Sequence, residues 1–226
     1  PGPVTPPPDP AQPWPLLSSW RLFADGPAQV PGERVVPFDV NAPLFSDYTH
    51  KLRFLHVPEG QVIGYADDAA WSLPEGAILV KTFFVPDDAR DPASPRRLLE
   101  TRLLHRVGAD YRAHVYVWND AQTDAERMSA GVFVPVTWTD SAGVTRSLEH
   151  VVPNTNQWRE CHRRGDAITS LGAGTLQLDR PHDYGAGPEN QIDHFAALGL
   201  FAAAPTPAAG RTALVDPDAP GDLTLR

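Results

Sequence analysis

Ala77-Ile78-Leu79-Val80-Lys81-Thr82-Phe83-Phe84-Val85 is nine residues long, almost continuously apolar, and rich in Val, Ile and Phe. A helix buried to this degree would normally run longer. A short β-branched and aromatic run bounded by a turn reads instead as a strand covered on both faces. The turn is Leu73-Pro74-Glu75-Gly76, immediately upstream. Working outward, Lys51 to His56 alternates polar and apolar, and Gln61 to Tyr65 is a shorter strand candidate. Leu98 to Val107 and Tyr111 to Trp118 flank Gly108-Ala109-Asp110, which reads as a three-residue hairpin loop. Val132 to Trp138 and Val144 to Val152 flank Asp140-Ser141-Ala142-Gly143, a second hairpin. From residue 34 to 152 this makes about seven strands at short spacing, joined by turns. The expected fold is mainly β, of the α+β class: an antiparallel sheet or partly closed barrel, followed by a C-terminal helical segment.

Composition agrees with that reading. The chain of 226 residues has 25 Pro, a surplus that marks turns and argues against a bundle of long helices. One Cys excludes an intrachain disulfide scaffold. No apolar stretch approaches the roughly 18 residues a membrane-spanning helix needs. With 19 Lys and Arg against 28 Asp and Glu, a net charge of −9 and no basic tract, nucleic acid is not an expected partner.

The ends differ from the middle. Residues 1–15, beginning Pro-Gly-Pro-Val-Thr-Pro-Pro-Pro, cannot form a ladder or helix and read as an extended, solvated spacer. Such a spacer suits either a disordered terminus or the stem after a secretion signal or N-terminal lipid anchor. Leu16 to Phe23 has apolar residues at helical spacing. After Pro153 the chain is polar until Pro188 to Leu200, which reads as one helix starting at Pro188 or Glu189. Residues 201–226 read as a linker tail that leads into a further segment. The domain is expected over 16–200, with strands to 152 and the motif and helix in 153–200.

The stretch that carries chemistry is Val152-Pro153-Asn154-Thr155-Asn156-Gln157-Trp158-Arg159-Glu160-Cys161-His162. The only Cys is followed directly by His. A c-type haem site is C-x-x-C-H: two thiols bond the haem vinyl groups and the His ligates iron. Here Trp158 stands in the first thiol position, so the motif is W-R-E-C-H.

Several segments, in order, resemble the N-terminal domain of a family of bacterial diheme c-type cytochromes. They are Phe38 to Tyr48, Leu73 to Phe83, Glu100 to Leu104, Tyr116 to Asn119, Val152 to Gln157 and Glu189 to Phe195. The resemblance spans about Leu16 to Leu200. A looser likeness is to the β-sheet haem domain of another cytochrome group, which also carries its haem motif after the strands. Two departures stand out. The family has Cys where Trp158 stands, and it continues into a second cytochrome c domain with its own C-x-x-C-H, which this sequence lacks.

The resemblance implies a haem-binding, electron-transferring domain facing the periplasm, the outer membrane or the exterior, rather than an enzyme. Its partner would be a redox protein or another cytochrome domain, and negative charge favours a basic one. At most one haem c is expected, held by a single thioether at Cys161 with His162 as proximal ligand. Trp158 would lie against the porphyrin edge. For the second axial ligand His194 is the first choice, with His182, His150 and Met128 as others. Two alternatives stand beside this. One is a haem-free descendant, with Trp158 filling the vacated pocket, acting as a binding or assembly module. The other is a copper or zinc site from Cys161 and His162 with one or both of His182 and His194. Lys81 reads first as a solvent-facing or edge residue of its strand; the looser likeness alone turns it toward a haem pocket.

Overall fold

The structure is a computed structural model and describes residues 2–164 and 167–215. It is mainly β, built on one open six-stranded antiparallel sheet. A 3₁₀ turn at Leu17–Trp20 leads into a small ribbon of β1 (Phe23–Asp25) and β2 (Val30–Pro31). The main sheet follows in sequence order: β3 (Val35–Phe38), β4 (His50–His56), β5 (Ile78–Pro86), β6 (Arg96–Val107), β7 (Asp110–Trp118) and β8 (Ala125–Met128). The hairpin β9 (Val132–Thr139) and β10 (Thr145–Val152) forms a separate sheet and does not close the main one into a barrel.

The expected C-terminal helical segment, with the Cys-His motif and one helix at Pro188 to Leu200, is not found in that form. The region after β10 alternates short helices with two-stranded ribbons: α1 (Thr155–Cys161), β11 (Arg163–Arg164) with β12 (Ala167–Ile168), α2 (Thr175–Leu178), β13 (Pro181–Asp183) with β14 (Pro188–Asn190), and α3 (Gln191–Ala197). The expected start of the last helix at Pro188 is displaced because Pro188 to Asn190 pair with Asp183 to Pro181. Asn190 then caps α3, its side chain accepting from the Ile192 N–H at 2.9 Å. Gln61 to Tyr65 forms no strand; Ile63 and Gly64 make only isolated bridges, to Phe201 and Ser72.

Strand β5 is buried on both faces, which explains its unbroken apolar run. On one face Val80, Leu103 and Phe54 meet Leu17, Trp20 and Leu22 from the N-terminal segment. On the other, Leu55, Leu79, Leu104 and Val115 meet Trp158, Ile168, Ile192 and Phe195 from the C-terminal segment. The hairpin adds a smaller cluster of Val85, Leu99 and Val136.

The Pro-rich opening is therefore not a solvated spacer. Trp14 Nε1–H donates to the Thr5 carbonyl at 2.9 Å, and Val4 and Trp14 pack on the first core. Tyr116 OH donates to the Trp14 carbonyl at 2.8 Å and accepts from Trp20 Nε1–H at 2.6 Å. Trp20→Phe removes that buried donor. It is expected to cost about 1–3 kcal/mol, read as a lowered urea midpoint at unchanged slope. The tail is likewise docked as far as Leu214. Arg211 is held by Asp179 and Asp193, and the Leu214 N–H donates to the Leu176 carbonyl. Beyond Val215 the expected linker lies outside the described residues.

Candidate functional site

Helix α1 begins where the sequence supplies its own cap. The Gln157 N–H donates to Asn154 Oδ1 at 2.9 Å, and the Asn154 N–H donates to Gln157 Oε1 at 3.0 Å. This reciprocal pair is a capping box, and Pro153 just before it keeps the helix from starting earlier. The cap sets the turn that carries Trp158. That side chain is 2% exposed and belongs to the larger core cluster. Its ring meets the His162 ring edge-on, with centroids 5.1 Å apart.

His162 follows α1 and is buried. Its Nδ1 lies 3.1 Å from the Thr169 carbonyl oxygen, and its own carbonyl accepts the Thr169 N–H at 2.8 Å. A carbonyl can only accept, so Nδ1 carries the proton and Nε2 keeps its lone pair. Burial, then the Lys81 charge, lowers its pKa to about 4, so the ring is neutral at pH 7. A neutral imidazole with its second nitrogen fixed on a backbone carbonyl is the arrangement metal-ligating histidines use.

His162 and Trp158 line a cavity against the sheet with Lys81, Arg53 and Arg102. The three cations stand directly opposite one another on adjacent strands: Arg53 of β4 pairs Lys81 of β5, which pairs Arg102 of β6. Lys81 is thus neither an edge residue nor a solvent-facing one. Its strand is interior, and Lys81 is half-buried on the face where Trp158 and His162 line the cavity. Arg102 is clamped by Glu100, which is fully buried and also accepts from His150 Nε2–H at 2.8 Å. Burial pushes the Glu100 carboxyl up, but the hydrogen bonds and charges of Arg102 and His150 outweigh it and leave it lowered. Arg53 pairs with Asp39 at 2.8 Å. Among the described residues, Lys81 has no hydrogen bond or ion pair. Burial, then the Arg102 charge, lowers its pKa to about 8.

The cavity itself is small, about 60 Å³. It shares Val40 and Arg53 with a wider cleft of about 550 Å³, roofed by Pro43 to Phe45 and floored by Lys51, Arg53 and Arg180.

The other expected site residues do not converge here. His194 lies on α3, outside this cavity. Its Nδ1 pairs with Glu189 Oε1 at 2.7 Å, and its ring stacks on Tyr184 with centroids 3.5 Å apart. The reason is packing: α3 turns Ile192 and Phe195 into the core and leaves His194 on its flank. His182 joins the same aromatic group, 4.8 Å from Tyr184. His150 lies nearer the site, its ring 5.8 Å from Phe83. The Cys161 thiol lies outside the described residues. Among the described residues, no group of three or more His, Cys, Asp or Glu side chains stands within reach of one metal ion.

Arg53, Arg102 and Glu100 are not singled out as site residues by the sequence, although Glu100 and Arg102 fall in one of the segments that carry the family resemblance. One signal is available: Lys51 and Lys81 are the only lysines in the chain, and both fall on this face of the sheet.

No protein-family model matches the chain. No curated protein and no solved structure matches it either.

Proposed function

We propose that the chain is a haem-binding, electron-transferring domain with one haem held at Cys161 and His162. The observation that supports this most is His162: buried, neutral, its tautomer set by Thr169, and its ring on a cavity bordered by cations. The donor set suits the group. His162 Nε2 would ligate iron, Cys161 would give one thioether, and Arg53, Lys81 and Arg102 suit the propionate carboxylates. The cavity that His162 lines holds about two waters, far below the roughly 300–1,000 Å³ of ligand pockets, so haem would require it to open toward the wider cleft, which His162 and Trp158 do not line. A bound haem supplies one-electron transfer. The chain's own part is to hold the imidazole orientation, exclude water with Trp158, and bias the site electrostatically with the cation row.

A second reading has its own support. Trp158 fills the core beside the cavity, as expected of a haem-free descendant that acts as a binding or assembly module. Copper or zinc at Cys161 and His162 has less support, because His182 and His194 sit elsewhere.

The test is expression into a periplasm together with c-type haem attachment machinery, followed by intact mass and absorption spectra. The expected result is the mass of one haem and a reduced α-band typical of one remaining vinyl group. Cys161→Ser should abolish covalent attachment, and His162→Ala should change the axial-ligand spectrum. Colourless protein at its polypeptide mass overturns the haem reading in favour of the second.

A further inference from the structure

The row Arg53–Lys81–Arg102 sits in an unusual setting for like charges. Directly opposed cations on neighbouring strands repel, and burial strengthens the repulsion. Two members have carboxylate partners, Asp39 and Glu100. The middle one has none among the described residues. Phe83 lies at the centre of the group, with Arg102 Cζ 4.4 Å, Lys81 Nζ 5.5 Å and Lys51 Nζ 6.0 Å from its ring centroid. Ring faces attract cations, but weakly beside an ion pair. Lys51, Arg53, Lys81, Arg102 and Arg180 here face Asp39, Asp47 and Glu100, an excess of positive charge in a chain whose net charge is −9. Arg180 approaches Asp39 only at 3.9 Å, and Asp47 is half-exposed, so neither relieves Lys81.

We infer that this cavity is a binding site for one anionic oxygen group, a carboxylate or small tetrahedral oxyanion, gripped chiefly by Lys81 and Arg53. The size fits: about 60 Å³ admits a group of that bulk beside the apolar walls of Leu79 and Trp158. The chemistry fits as well, since an ammonium point charge and a guanidinium fork are the two side chains that hold such oxygens. The inference does not rest on the haem reading. The oxygen group could come from two sources, a propionate of a bound haem or a free small anion.

The experiment uses haem-free protein at pH 7 and low ionic strength, titrated calorimetrically with sodium phosphate, sulfate and acetate against a sodium chloride control. Saturable one-to-one binding in the millimolar range or tighter is expected for at least one of them. Lys81→Met and Arg53→Met should each weaken it at least tenfold, and Arg90→Met, at an exposed pair with Asp88, should not. Lys81→Met should fold, because it takes an unpaired charge out of a row of like charges. As a second readout, ¹³C reductive methylation labels only two lysines, and the anion should move the Lys81 resonance. Absence of saturable binding by the unmodified chain, or binding indifferent to Lys81→Met, overturns the inference whatever the outcome for haem. If haem-loaded protein no longer binds the small anions, propionate is the occupant. If loading leaves binding intact, or no haem loads, a free anion is.

Discussion

Lowering the pH from 7 toward 4 is expected to unfold this protein, through histidines rather than carboxylates alone. His56, His114 and His162 are buried, and their pKa values fall from the ordinary 6.5 to about 4, about 3 and about 4. Burial is the largest cause in each case. His114 also feels His105, Arg127 and Arg112, and His56 feels Arg34 and His105 against a hydrogen bond to the Arg34 carbonyl that acts the other way. His105 is lowered too, by burial against a weaker opposing pull from Glu75. His105 Nδ1 and His114 Nε2 are buried without a hydrogen-bond partner among the described residues, so the fold holds both rings beside Trp20 in a form that protonation would disrupt.

The folded pKa lies below the unfolded one, so the fold favours the neutral ring. That stability is fully present above pH 6.5 and is lost as pH falls toward the folded values near 3 to 4. Each tenfold change in proton affinity between the folded and unfolded chain is worth about 1.4 kcal/mol, so three such rings together remove several kcal/mol from a domain that has roughly 5–15 to lose. Glu100, whose pKa is lowered, adds to the loss below its ordinary range. Urea unfolding followed by tryptophan fluorescence across pH 4 to 8 measures this. Stability should decline from about pH 6.5 downward, and His114→Leu should remove part of the slope. A flat profile between pH 7 and 4 would contradict the burial argument outright.

What the sequence reveals here follows the range of the interactions involved. The strand at Ile78–Pro86 and the two hairpins are legible because apolar runs and Gly-bearing turns are local signals. Lys81 is misread for the opposite reason. Alternation places it on one face of its strand, but only a helix that starts 74 residues later decides that this face lines a cavity and is half-buried. The same holds for the termini. Proline forbids a ladder, which suggests a solvated spacer, yet Trp14 and Tyr116 join across 102 residues and dock it. The Cys161–His162 pair is visible as a motif. The Thr169 carbonyl that fixes the imidazole is not, because nothing between residues 162 and 169 announces that contact. His194 stands out through its helix, but helix periodicity cannot say whether a flank faces a site or a neighbouring tyrosine.

Trp158 is where the two functional readings separate most sharply. The side chain is almost fully buried and packs between α1 and the sheet, so its removal leaves a cavity that a seven-residue helix cannot close by itself. Trp158→Ala is expected to cost about 3–5 kcal/mol in haem-free protein. The buried indole N–H has no hydrogen-bond partner among the described residues, so its loss returns only a small part of that. Trp158→Cys should cost nearly as much, yet it creates C-x-x-C-H at the spacing two vinyl groups require. In a host that attaches haem c, the two readings then diverge. If the chain binds haem, this variant should gain a second thioether, shift its reduced α-band, and recover much of the lost stability through the added covalent tie. If the chain is a haem-free module, Trp158→Cys should remain colourless and simply be less stable. Chemical denaturation of Trp158→Ala and Trp158→Cys, with and without attachment machinery, makes the comparison. A cost below about 1 kcal/mol for Trp158→Ala would show that the indole does not fill the core. The haem-free reading would then lose its main support, because that reading needs the tryptophan to replace the volume a porphyrin once occupied.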